Sequence, residues 1–179
     1  MARYVAFLRG INLGKRRPAM SLLKTLFEEA GFKNVATFIA SGNVVFESAA
    51  KDRGQLEQQI SKHLHAALGY EVECFVRTAE EVLAIGHSEP FRTPIEGITT
   101  VHACLLHEPL AAASARKLQK VKTATDEFAI GKREFYWLCR IKINESIIWK
   151  HPAMKEIALP SFTMRNMSSV RKLIAQRLA

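Results

Sequence analysis

The run Val35-Ala36-Thr37-Phe38-Ile39-Ala40-Ser41-Gly42-Asn43-Val44-Val45-Phe46-Glu47 sets a glycine–asparagine pair between two apolar stretches. Glycine supplies the positive φ that tight hairpin turns need, and the β-branched and aromatic residues on either side suit strands. The reading is a β-hairpin with strands at 35–41 and 44–47, Ile39 opposite Phe46 and Ser41 opposite Val44. Phe38, Ala40 and Val45 then fall on the other face, which is therefore not a polar one.

Upstream of the hairpin, residues 4–8 form a short apolar strand, followed by a loop over 9–20. A helix over 21–30 carries Leu22, Leu23, Leu26, Phe27 and Ala30 on one stripe and ends at Gly31. Downstream, a helix over 55–68 repeats Leu56, Ile60, Leu64 and Leu68 every four residues. A strand over 72–76 alternates Val72, Cys74 and Val76 with Glu71, Glu73 and Phe75. This order, βαββαβ, is that of the ferredoxin-like split βαβ unit. Its right-handed crossovers put both helices on one face of the sheet.

The remainder repeats the theme. Thr78 with Glu81 is a capping-box signature that opens a helix to about residue 85. A loop with Pro90, Pro94 and Gly97 marks the candidate boundary. A strand over 100–107, a helix over 109–120 and a hairpin follow. The hairpin strands, 126–130 and 133–139, flank Gly131-Lys132 with Phe128 facing Phe135. A short helix near 145–150 and a last helix over 167–178 complete the chain, the latter burying Val170, Leu173, Ile174 and Leu178. The expected fold class is α+β: a ferredoxin-like βαββαβ plait, then a second, related βαββα subdomain. The expected division is 1–77 for the plait, 78–99 for a helix and linker, and 100–179 for the second subdomain.

The chain has 179 residues, 48% of them hydrophobic, which suffices for a packed core without staples. No apolar run approaches the length of about 20 residues that spans a bilayer, so no membrane partner is expected. Residues 1–9 read as a first strand rather than a signal peptide, with Arg9 interrupting the apolar stretch. Cys74, Cys104 and Cys139 lie far apart in strand-like stretches, which suits buried thiols in the cytoplasm. His63 and His65 do not share a helix face, and neither metal nor cofactor spacing is present. The net charge of +9 is concentrated: residues 1–115 carry 12 basic and 12 acidic side chains, and the rest carries 14 and 5. That balance points to nucleic acid, a phosphorylated small molecule or an anionic surface as partner, and equally suits a solvated basic exterior.

Chemistry concentrates in Arg9-Gly10-Ile11-Asn12-Leu13-Gly14-Lys15-Arg16-Arg17-Pro18. Gly10 to Gly14-Lys15 is one residue short of the Walker spacing, and no Ser or Thr follows the lysine. Two glycines and four cations ahead of a helix are nevertheless the ingredients of an anion site. In a split βαβ plait the first two strands run parallel, so this loop and the Ser41-Gly42-Asn43 turn emerge at one end of the sheet. Arg9, Asn12 and Lys15 are therefore expected near Ser41, Gly42 and Asn43. Ser41-Gly42-Asn43 taken alone is ordinary turn chemistry. Thr163-Met164-Arg165-Asn166 precedes the last helix, where Asn166 suits an N-cap.

These three segments together resemble a bacterial family, domain of unknown function 1697. Its pattern has a strand followed by L-R-G-I-N-V-G, a methionine and a helix, then G-F-x-x-V-x-T-Y-I-x-S-G-N-V-x-F, and T-x-R-N-W before a C-terminal helix. Leu8-Arg9-Gly10-Ile11-Asn12, Gly14 and Met20 match the first part. Gly31-Phe32, Val35, Thr37, Ile39, Ser41-Gly42-Asn43-Val44 and Phe46 match the second, and Thr163, Arg165 and Asn166 the third. Phe38, Met167 and Leu13 stand where the family has tyrosine, tryptophan and valine, so a hydroxyl and an aromatic platform are missing here. The resemblance implies two α+β subdomains related to ferredoxin plaits, and no activity.

The leading expectation is an anion or nucleic-acid binding protein. Residues 43–47 lack the basic-aromatic motif of an RNA-recognition strand, so any nucleic-acid contact is expected to be electrostatic. The candidate ligand-binding residues are Arg9, Gly10, Asn12, Gly14, Lys15, Ser41, Gly42, Asn43, Thr163, Arg165 and Asn166. The alternative is an enzyme acting on a phosphorylated or carboxylated small molecule. There Arg9 and Arg165 hold the anion while Asn12, Ser41 and Asn43 orient it, with no base or nucleophile evident in these motifs. A third reading is an oligomerising scaffold that uses the apolar second sheet face.

Overall fold

A computed structural model describes residues 1–39 and 42–179. The chain divides into two compact units, Met1–Ala84 with Lys172–Ala179, and Ile85–Arg171. Residues 78–99, set apart as a linker on sequence grounds, are shared between the two.

The first unit contains β1 (Ala2–Arg9), α1 (Met20–Glu29), β2 (Lys33–Phe38), β3 (Asn43–Ser48), α2 (Arg53–Leu68) and β4 (Glu73–Thr78). Its strands form one antiparallel sheet in the order β2-β3-β1-β4. Tyr4, Ala6 and Leu8 of β1, Val44 and Phe46 of β3, and Cys74 and Val76 of β4 share one face. Leu23, Leu26 and Phe27 of α1 and Leu56, Ile60 and Leu64 of α2 pack on that face. At its centre Phe32 lies 4.6 Å, and Phe27 5.6 Å, from Phe46 between ring centroids, spacings at which tilted aromatic pairs add to area burial. Asp52 caps α2 by accepting from the Gln55 N–H at 3.1 Å, and Gly69 at φ +80 ends it. Val5, Phe7, Val45 and Phe75, on the opposite sheet face, are buried as well. Leu22, expected in the α1 stripe, is exposed.

The β2–β3 hairpin departs from the expected register. Phe38 pairs with Asn43, Thr37 with Val44 and Ala36 with Val45, so the connection spans residues 39–42 rather than Gly42-Asn43. Asn43 enters β3 because its buried amide reaches across the hairpin, Nδ2 donating to the Phe38 carbonyl at 3.0 Å. The expected Ile39–Phe46 pair does not form, and Ile39 sits exposed at φ +56. The expected Ser41–Val44 pair has Ser41 outside the described residues, and Val44 pairs with Thr37. From Ala36 to Phe38 the shift is an even number of residues, so these side chains keep their expected faces, and a register irregularity lies between Lys33 and Ala36.

The second unit contains β5 (Thr100–Leu105), α4 (Ala112–Lys120), β6 (Asp126–Ile130), β7 (Glu134–Cys139), a 3-10 turn (Ile148–Lys150), α5 (Pro152–Lys155) and β8 (Thr163–Asn166). α3 (Ala79–His87) precedes β5, and α6 (Met167–Leu173) follows β8 and runs on as a π turn over Ile174–Leu178. The expected capping box opens α3: the Thr78 N–H donates to Glu81 Oε2 at 2.9 Å, and the Glu81 N–H to Thr78 Oγ1 at 3.1 Å.

The βαββα expectation for this half needs correction, because Thr163–Asn166 is a strand that pairs with β5. Its sheet runs β6-β7-β5-β8, the order of the first unit repeated. Four residues, two of them polar on a buried face, left too little apolar pattern to read as a strand. Phe128 pairs with Trp137 rather than with Phe135, which it meets diagonally at 6.2 Å. The hairpin is pinned from inside by Asp126, whose carboxylate accepts from Trp137 Nε1 at 2.7 Å, Ser146 Oγ at 2.8 Å and Thr125 Oγ1 at 2.5 Å. Cys74, Cys104 and Cys139 are buried thiols, and burial raises the pKa of each.

Candidate functional site

β1 delivers its chain to the rim of the first sheet. The Leu8 N–H donates to the Gly42 carbonyl at 2.8 Å, joining the end of β1 to the start of β3. Ile11 folds back into the core, and Gly42, at φ +78, lies against it. A β-carbon on Gly42 would stand 2.8 Å from Ile11 Cγ2 and 3.1 Å from Leu8 Cβ, so only glycine fits the approach and the conformation. The two distant stretches therefore meet, with Ile11 as the pin.

Around that pin the loop is held on its other side. Tyr70 Oη donates to the Ile11 carbonyl at 3.1 Å, and the Arg16 guanidinium lies 4.6 Å from the centroid of the Tyr70 ring. Such stacking fixes a cation without neutralising it. The Arg16 N–H closes a turn on the Leu13 carbonyl at 2.9 Å, with Gly14 inside it at φ +59. Lys15, Arg16 and Arg17 are exposed and Asn12 is half-buried. Arg9, at the end of β1, makes a partly exposed ion pair with Glu73, 3.1 Å from Nη1 to Oε1. A pair so open to water contributes less than about 1 kcal/mol, so Glu73 is a weak competitor for the Arg9 guanidinium.

Of the expected site residues, Gly10, Asn12, Gly14 and Lys15 belong to this loop and Arg9 to the end of β1, while Gly42 belongs to the turn the loop meets and Asn43 to the start of β3. Ser41 lies outside the described residues. The Asn43 amide nitrogen serves the hairpin, as described above. Tyr70 and Glu73 were not read as parts of the site, and Arg16 only as one of the loop's four cations. Tyr70 follows the glycine that ends α2 and carries no local signal of its partner 59 positions away.

Thr163, Arg165 and Asn166 lie on β8 in the second unit. Arg165 is buried, its Nη1 donating to Thr163 Oγ1 at 2.9 Å and to the Met164 carbonyl at 3.0 Å. Burial holds its pKa down at about 10, which still leaves the guanidinium charged at neutral pH. Asn166 Oδ1 accepts from the Ser168 N–H at 2.9 Å, the capping role its position suggested. Among the described residues, no three His, Cys, Asp or Glu side chains gather as a metal ion would need, and no helix is long and apolar enough to cross a membrane.

The family described as Protein of unknown function (DUF1697) matches residues 1–136, which include the loop and the turn and end before β8. The conserved bacterial protein SP0830 from Streptococcus pneumoniae has a similar fold, with a TM-score of 0.72 at 18% identity. The likeness covers 98% of this chain and 99% of that one. No curated protein matches the chain.

Proposed function

This chain belongs to the DUF1697 family of proteins of unknown function, and we propose that it binds the phosphate groups of an anionic ligand where the β1–α1 loop meets the β2–β3 turn. The observation that carries this reading is the Leu8–Gly42 hydrogen bond with Ile11 packed against Gly42. It supports a rim where Arg9, Lys15, Arg16 and Arg17 stand around glycine-rich backbone, whose N–H groups suit oxyanions. Ser41 and Asn12 are the polar side chains that would complete the grip.

Nucleic acid and phosphorylated small molecules share the chemistry this rim would read. Four cations in one loop favour charge over base recognition. The strand order β2-β3-β1-β4, repeated as β6-β7-β5-β8, supports reading each unit as a ferredoxin-like plait. Phe7 and Val45, which such a plait would need exposed for base stacking, are buried. The three buried thiols suit a cytoplasmic setting.

Fluorescence anisotropy of a labelled single-stranded RNA, repeated over a range of salt, tests the reading. Engagement of all four loop cations gives a slope near −3 in log affinity against log salt, at about 0.7 per phosphate neutralised. A small-molecule site gives no RNA binding but is stabilised against heat by phosphorylated metabolites, an effect lost in Arg9→Ala. Removal of the competitor in Glu73→Gln tightens either ligand about two- to fivefold. The absence of both RNA binding at low salt and stabilisation by any phosphorylated compound would end the proposal.

A further inference from the structure

One backbone contact of the proposed phosphate rim recurs at the β6–β7 turn of the second unit, where the chain's own carboxylate takes the turn's donors. The Leu106 N–H donates to the Arg133 carbonyl at 2.9 Å, as the Leu8 N–H does to Gly42 at 2.8 Å. The next residue opens the third strand of each unit: Asn43 for β3 and Glu134 for β7. Where Asn43 brings an uncharged amide, Glu134 brings a carboxylate, and that carboxylate folds back over the turn. Its Oε1 accepts from the Lys132 N–H at 3.3 Å and from Tyr136 Oη at 3.2 Å, and its Oε2 accepts from the Arg133 N–H at 3.1 Å. The carboxylate lies on Gly131 so closely that a β-carbon there would stand 2.2 Å from Oε1. Two consecutive backbone N–H groups and a phenol converging on two anionic oxygens form an oxyanion nest. Lys132 and Arg133 add positive charge beside it, Arg133 docking its Nη1 on the His107 carbonyl at 3.3 Å.

We propose that the β6–β7 turn is a second oxyanion site, and that Glu134 is its built-in occupant, competing with phosphate or carboxylate groups from outside the chain. The inference rests on the reading of the first rim only for its functional setting; the nest stands on its own donors. Glu134 is tethered beside its donors at high effective concentration, so an external anion binds the wild-type turn weakly. Removing the carboxylate leaves the Lys132 and Arg133 amides and the Tyr136 hydroxyl to a ligand.

The test is an amide NMR titration of wild type and Glu134→Ala with inorganic phosphate, and in a second arm with acetate. The expected result is saturable shifts of the Lys132 and Arg133 amides in Glu134→Ala, with affinity for phosphate at least tenfold above wild type. Saturation by acetate as well assigns the site to oxyanions in general, and by phosphate alone to a phosphate site. A folded Glu134→Ala whose Lys132 and Arg133 amides do not respond to either anion overturns the proposal, as does equal affinity in wild type. If the alanine variant does not fold, Glu134→Gln gives the same test, since the neutral amide is the weaker competitor. Failure of the first rim reads separately, as silence of the Gly10 to Lys15 amides in the same spectra.

Discussion

Arg77 and Arg165 hold the same place in the two sheets. Arg77 of β4 stands opposite Val5 on the central strand β1, and Arg165 of β8 stands opposite Ala103 on the central strand β5. Both are buried, at 1% and 9% exposure, and each donates from Nη1 to the carbonyl of the residue before it at 3.0 Å. Each is followed by a residue that caps a helix, Thr78 for α3 and Asn166 for α6. The internal repeat thus extends past the sheets to a shared arginine–cap–helix ending.

Truncating either arginine opens a cavity and strands its buried partners. Arg77→Ala and Arg165→Ala each lower stability by about 3 kcal/mol, and methionine at either position recovers part of the loss by filling the volume. Urea unfolding midpoints check this. A change within about 0.5 kcal/mol, the size of an ordinary surface substitution, contradicts a buried structural role.

Gly42→Ala forces a side chain into both a left-handed conformation and the Ile11 contact, and costs about 2–4 kcal/mol. Ile11→Ala removes the atom that a new β-carbon would strike. The double variant is therefore less destabilised than the sum of the singles by about 1 kcal/mol, in a four-way comparison of unfolding free energies. Strict additivity would show that the loop and turn do not press on each other.

His102 reports on acidity. It is buried against Trp137, with ring centroids 5.3 Å apart, and its Nδ1 has no hydrogen-bond partner among the described residues. Desolvation lowers its pKa below the usual 6.5. The folded chain therefore binds this proton less readily than the unfolded chain. Stability is unaffected by this group above pH 6.5 and declines as pH falls from there toward the folded pKa. His102→Phe removes that part of the decline, measured as the difference between the two pH–stability curves. Identical curves for the two proteins below pH 6.5 would refute the assignment.

The first unit was legible because its apolar periodicities are long and its helices amphipathic, and the meeting of the loop and the turn followed from strand direction alone. The register of the hairpin was not legible. Gly42 looked like a turn centre, but Asn43 takes a strand position through a side-chain bond to Phe38 that composition does not announce. β8 was missed for a related reason: Arg165 is a charged residue on a buried sheet face, which reverses the usual meaning of polarity in a strand. The comparison that could have found it is internal, Val76-Arg77-Thr78 before α3 against Met164-Arg165-Asn166 before α6. Tyr70 and Glu73 escaped because their roles come from tertiary proximity to Arg16 and Arg9.

The most direct measurement is a phosphate titration of the isotopically labelled wild-type chain followed at backbone amides, repeated with the Arg9→Ala/Lys15→Ala variant. The account predicts that the largest saturable shifts fall on Gly10 to Lys15 and on Gly42 and Asn43, and that the variant binds at least tenfold more weakly. Shifts scattered over the basic stretch from Arg116 onward, with the loop and turn silent and the variant unchanged, would contradict it.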